Sequence, residues 1–125
     1  MANQSIVRLH AFATVDSKDW EAFMQMVAET KVIVHSEGPE NVLTHECYYQ
    51  TGSFNCLIVE AYANEEIFLS HLQQVTPLSE KYGVNWKINR IELCGPFSEQ
   101  TVNALRQGVG DGDCVHYDNA LNTLK

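Results

Sequence analysis

Five side chains in the middle of this 125-residue chain have the right types for proton chemistry: His45, Tyr48, Glu60, Tyr62 and His71. Imidazole exchanges protons near neutral pH, and burial or a neighbouring carboxylate tunes it. His71 stands among Phe68, Leu72 and Val75, so a helix would carry it on an apolar face. Two roles fit such a histidine: a general base, or a core residue satisfied by one hydrogen bond. Glu60 interrupts an apolar run, and a carboxylate there needs a partner or must become neutral. It could orient His71, act as a base itself, or pair across a sheet with Arg8 or Arg90. Phe68, Ile58 and Trp86 supply apolar surface for the walls of a pocket.

A second group is His45, Cys47 and Cys56. If a hairpin is symmetric about Thr51-Gly52, Cys47 faces Cys56, and His45 shares their side of the sheet. Such a set could hold zinc or a softer metal. Its spacing matches no zinc finger, however, and packed thiols are the simpler expectation, with no metal bound. The remaining cysteines, Cys94 and Cys114, form no Cys-x-x-Cys pair with the others, so free thiols are expected. Asp111 and Asp113 are too sparse for a calcium loop. No glycine-rich phosphate loop occurs: Gly108 to Gly112 would follow a helix and lacks the required lysine.

Alternating and helical periods give the elements that must position these groups. Strands are expected over Ser5 to Val15, Asn41 to Tyr49, Phe54 to Tyr62 and Val84 to Cys94. Trp20, Phe23, Met24, Val27 and Val34 define a first helix, stopped by Glu37-Gly38-Pro39. Asn64 caps a second helix whose first turn holds Glu65 and Glu66, and Thr76-Pro77 breaks it. Ser98 opens a short helix through Arg106, and the rest reads as a flexible tail with one or two helical turns after Asp118. The order βαββαβ is a split βαβ arrangement. It implies an α+β, ferredoxin-like fold: a four-stranded antiparallel sheet with both helices on one face. Residues 1–98 would form that domain and 99–125 the terminal helix and tail.

The third strand is apolar on both sides, with Cys56 and Ile58 on one and Leu57, Val59 and Ala61 on the other. Two helices cover only one face, so a second copy of the sheet is the expected cover for the other, giving a homodimer. Eight Lys and Arg against sixteen Asp and Glu give a net charge of −8, which argues against nucleic acid and anionic membrane as partners. The start, MANQSIVRLHAF, has neither the basic nor the apolar segment of a signal peptide, and a cytoplasmic location is expected.

With this layout the chain resembles the antibiotic biosynthesis monooxygenase family of the dimeric α/β-barrel superfamily. The resemblance rests on Val59-Glu60-Ala61-Tyr62, Asn64-Glu65-Glu66, Ser70-His71-Leu72, Glu37-Gly38-Pro39 and Gly95-Pro96-Phe97-Ser98, and covers about Ser5 to Ser98. It implies a homodimer and a small aromatic ligand. It also implies oxidation of quinol- or phenol-like compounds by O2 without metal, flavin or other cofactor. On that reading His71 and Glu60 are the catalytic candidates; Tyr62, Phe68, Ile58, Tyr48, Trp86 and His45 would bind substrate. A non-catalytic small-ligand binding or sensor module on the same fold is the alternative. A haem-binding or haem-degrading relative fits less well. Such members carry an Asn in the first strand, which Ile6 to Thr14 lacks. They also carry a Trp in the second helix and a His near its end; here the helix has His71 and no Trp, and its end reads Ser79-Glu80-Lys81-Tyr82.

Overall fold

A computed structural model describes residues 5–122. Five strands, β1 (Val7–Val15), β2 (Val42–Tyr49), β3 (Asn55–Tyr62), β4 (Trp86–Cys94) and β5 (Asp113–Tyr117), form one sheet in the order β2-β3-β1-β4-β5. The helices are α1 (Trp20–Glu37), α2 (Glu65–Val75), α3 (Leu78–Tyr82) and α4 (Glu99–Gly108). The first four strands pair antiparallel as the sequence implies. Among the described residues, no helix is long and apolar enough to cross a membrane.

Local chemistry fixes the element ends. Asn64 accepts a hydrogen bond from the Ile67 amide at 2.9 Å, and Ser98 accepts one from Thr101 at 3.2 Å. Each side chain satisfies an amide that its helix leaves unpaired. Between β2 and β3 the chain turns through Gly52 at φ 81°, a conformation that costs glycine little. Gln50 and Asn55 close that hairpin, the Gln50 amide donating to the Asn55 carbonyl at 3.0 Å.

The C-terminal segment differs from the flexible tail expected of it. Asp113–Tyr117 joins the sheet as β5, parallel to β4, making β4-α4-β5 a crossover unit. Cys114 and His116 register with the inward-facing Ile91 and Leu93 of β4, while Val115 registers with Glu92. The glycines that suggested a linker serve a tight connection. A Cβ on Gly112 would lie 2.4 Å from the Asn89 carbonyl oxygen, so only glycine fits the approach to β4. Residues 118–122 carry no helix, in place of the turns expected after Asp118; residues 123 and 124 of that expectation lie outside the described residues.

The helices cover one sheet face. One apolar cluster joins Val7, Leu9, Tyr62, Phe68, Leu93, Phe97, Val102 and Val109. A second joins Val15, Phe23, Met26, Cys56, Leu78 and Val84. Because α4 contributes Val102, with Val109 just after its end, it belongs to the same core as the βαββαβ elements. Between the two clusters the side chains do not meet, and that gap is the cavity described next.

Candidate functional site

The gap is a cavity of about 350 Å³ between the sheet and helices α1, α2 and α4. That is the size range of small-ligand sites. Phe23, Met26, Ile58, Phe68, Trp86 and Leu105 give it apolar walls. Its polar end is built by His45, Glu60 and His71. The strand period places Glu60 inward from β3 and His45 inward from β2, and the two are direct register partners. Helical spacing places His71 of α2 above them, one turn beyond Phe68.

His71 is 1% exposed, and its Nδ1 lies 2.8 Å from Oε1 of Glu37. A carboxylate only accepts, so Nδ1 carries the proton that bonds Glu37, and Nε2 is not used in that pair. Glu37 is the last residue of α1, where the helix dipole disfavours an anion. It is held there by His71 and by the Gln74 side-chain amide, which donates to Oε2 at 3.0 Å. Glu60 was one partner that the sequence left open to His71. The structure gives it Glu37 instead, because the end of α1 reaches α2 while Glu60 is engaged elsewhere. In sequence Glu37 reads as part of a helix stop, and its separation from His71 by 34 positions hides the pairing.

Glu60 is buried, and the Tyr62 hydroxyl donates to its Oε1. Burial pushes the carboxyl above its ordinary range; the Tyr62 hydrogen bond and nearby His71 oppose that only in part. Neither Arg8 nor Arg90 pairs with it. Arg8 is exposed, and Arg90 bonds Glu92 at 2.9 Å and Asp113 at 3.4 Å. Burial, followed by the like charge that His71 would carry, pulls His45 down to about 4. His45 is therefore a neutral imidazole at physiological pH. Burial pushes the Tyr62 phenol upward, reinforced by Glu60, so it remains a donor.

Six of the eight sequence-derived candidates line the cavity: His45, Ile58, Glu60, Phe68, His71 and Trp86. Tyr62 stands behind Glu60, packed on Phe68 and His71 with ring centroids 5.3 Å from each. Tyr48 does not join them. It is exposed, and its hydroxyl bonds Glu46 at 2.9 Å, because an even-numbered position on β2 faces away from the helices.

The hairpin register also departs from expectation. Cys47 pairs with Ile58, and Cys56 with Tyr49, a slide of two positions that preserves the faces of residues from Thr44 to Tyr49. Burial, then the neighbouring Cys56, pushes the Cys47 thiol up to about 12, and burial raises Cys56 as well. Both are thiols at neutral pH. The four cysteines are free, and Cys56 is the fully buried one. His45 groups with Glu60 and His71, not with the cysteines.

No protein-family model matches the sequence, and no curated protein matches it. Solved structures do. MupZ from Pseudomonas fluorescens superposes with a TM-score of 0.66 at 15% identity, over 96% of this chain and 91% of its own. A candidate antibiotic biosynthesis monooxygenase from Caulobacter crescentus CB15 gives 0.55 at 14% identity, over 66% of this chain and 88% of its own. Another, from Bacteroides thetaiotaomicron VPI-5482, gives 0.56 at 19%, over 79% and 93%. The chain has the antibiotic biosynthesis monooxygenase fold. The match to MupZ takes in nearly the whole chain, a larger share than either monooxygenase candidate covers.

Proposed function

We propose that this protein is a cofactor-independent monooxygenase acting on a small aromatic compound of the quinol or phenol class. The observation that carries this reading is the Glu37–His71 pair facing an apolar cavity beside a buried Glu60, whose carboxyl burial pushes toward the protonated form. In this mechanism Nε2 of His71 takes the substrate's hydroxyl proton, and Glu37 stabilises the imidazolium that forms. The Glu60 carboxyl donates a hydrogen bond to the aromatic oxyanion. The electron-rich anion then reduces O2. One oxygen atom forms a new C–O bond in the ring and the other leaves as water, so quinol and O2 give hydroxyquinone and H2O. All four electrons come from the substrate. Phe23, Phe68 and Trp86 form the aromatic walls; Phe23 and Trp86 lie 5.6 Å apart between centroids.

The same reading includes a homodimer in the cytoplasm, joined through the sheet face that the helices leave uncovered. Phe12, Leu57 and Val59 stand partly exposed on that face, which supports a second copy as its cover. Residues 1–98 act as the oxygenase domain, with 99–125 closing the cavity through α4. A non-catalytic binding module would use the same apolar walls and leave the Glu37–His71 pair without a task.

Oxygen uptake by chelator-treated protein, measured against a panel of quinols and phenols, tests the proposal. Stoichiometric O2 consumption with a hydroxylated product is expected. Saturable binding of the same compounds without O2 consumption would instead make the protein a binding module.

A further inference from the structure

One candidate ligand atom from each of His45, Glu60 and His71 lies within 4.8 Å of the others. Two imidazoles and one carboxylate form a donor set suited to divalent first-row cations such as Zn²⁺, Fe²⁺ and Co²⁺. We propose that these three side chains bind one divalent transition-metal ion at the polar end of the cavity.

Four observations carry the inference. The three residues come from β2, β3 and α2, so they approach one point from different directions. His71 is already oriented as metal-binding histidines are: Nδ1–H is directed at the Glu37 carboxylate, which fixes the ring and leaves Nε2 for a metal. Tyr62 occupies Oε1 of Glu60, leaving Oε2 for coordination. The cavity lies on the side not filled by protein ligands, giving room for water or an exogenous ligand at the open positions. Ligand atoms around a zinc-sized ion, with bonds of about 2.0–2.1 Å, stand roughly 3.3 Å apart in a tetrahedron. Closing from 4.8 Å asks for side-chain rotation of about an ångström or two, and His45 sits on an edge strand that pairs on one side only. Metal bound at Nε2 of His71 would occupy the lone pair that the oxygenase reading assigns to proton transfer. The metal would then act as an inhibitor of that reaction; this consequence rests on the proposed function, whereas binding itself does not.

Titrating tag-free, chelator-stripped protein with Co²⁺, followed by visible absorption, and with Zn²⁺, followed by calorimetry, tests the site. One ion per chain is expected, with ligand-field bands and no thiolate charge-transfer band. His45→Ala and Glu60→Gln should each weaken binding by more than about tenfold, and Glu37→Gln by about 10- to 100-fold through loss of the ring's support. Cys47→Ser should leave affinity unchanged. If Glu60→Gln fails to fold, His45→Ala, on the edge strand, decides. No saturable binding by folded parent protein would overturn the proposal. So would binding that survives His45→Ala, or a cobalt spectrum dominated by thiolate. None of these readouts depends on turnover, so the oxygenase reading can fail without affecting them.

Discussion

The two faces of the sheet treat charge in opposite ways. On the face beneath the helices, His45, Glu60 and His71 sit in apolar surroundings, and burial drives His45 and Glu60 toward their neutral forms. On the open face, polar groups pair in solvent. Arg90 bridges Glu92 at 2.9 Å and Asp113 at 3.4 Å, and His10 lies 3.4 Å from Glu92. There the Arg90 hydrogen bond holds Glu92 below the usual carboxylate range. A glutamate is thus pushed toward its neutral form on one side and held in its charged form on the other. The difference is solvent, since water screens pairs on the open face and each contributes at most about 1 kcal/mol. On the proposed function, chemistry belongs to the face from which the helices exclude water and assembly to the other.

The largest effect expected from breaking this contrast is at His71. His71→Ala should lower turnover by about 10²- to 10⁴-fold per folded molecule while the dimer persists, read by O2 uptake and light scattering. A purely structural His71 would instead cost roughly 1–3 kcal/mol of stability with turnover retained. Next is the open face. Leu57→Lys places a charge opposite Phe12 and should weaken dimerisation by about a hundredfold, close to 3 kcal/mol. Sedimentation across a concentration series checks this, and an unchanged dimer would locate the interface elsewhere.

His45 sharpens the contrast through pH. Its folded value, about 4, lies below the 6.5 of an unperturbed imidazole. The stability tied to its neutral form is therefore complete above pH 6.5. It falls as pH drops toward 4, because the unfolded chain takes up the proton first. Relative to His45→Asn, the parent should lose on the order of 2 kcal/mol over that window, measured by chemical unfolding at successive pH values. Glu60, shifted upward, acts with the opposite sign and is common to both proteins. The smallest effect is at Tyr48: Tyr48→Phe removes an exposed hydroxyl bonded to Glu46, and should change stability by less than about 0.5 kcal/mol with turnover unaffected.

How far the sequence carries can be judged residue by residue. Inward and outward positions on β3 follow from strict alternation, so Ile58 and Glu60 were legible as cavity-facing and Leu57 and Val59 as their opposites. His71 was legible from helical spacing beside Phe68 and Leu72. β5 was obscured because the three glycines before it, Gly108, Gly110 and Gly112, resemble a linker, although Cys114-Val115-His116-Tyr117 carries a short strand alternation. The hairpin register was missed by two positions because loop closure, not residue type, sets it.

Local periodicity determined the order of the βαββαβ elements, the α+β class and the face on which each candidate lies, because these depend on interactions within a few residues of chain. Which groups touch was decided only by tertiary structure. Glu37 ends α1 in sequence, yet it meets His71 because α1 and α2 pack side by side over one sheet. Glu60 is pushed toward its protonated form because α1, α2 and the sheet together remove water from it, and no single segment can supply that low-dielectric setting.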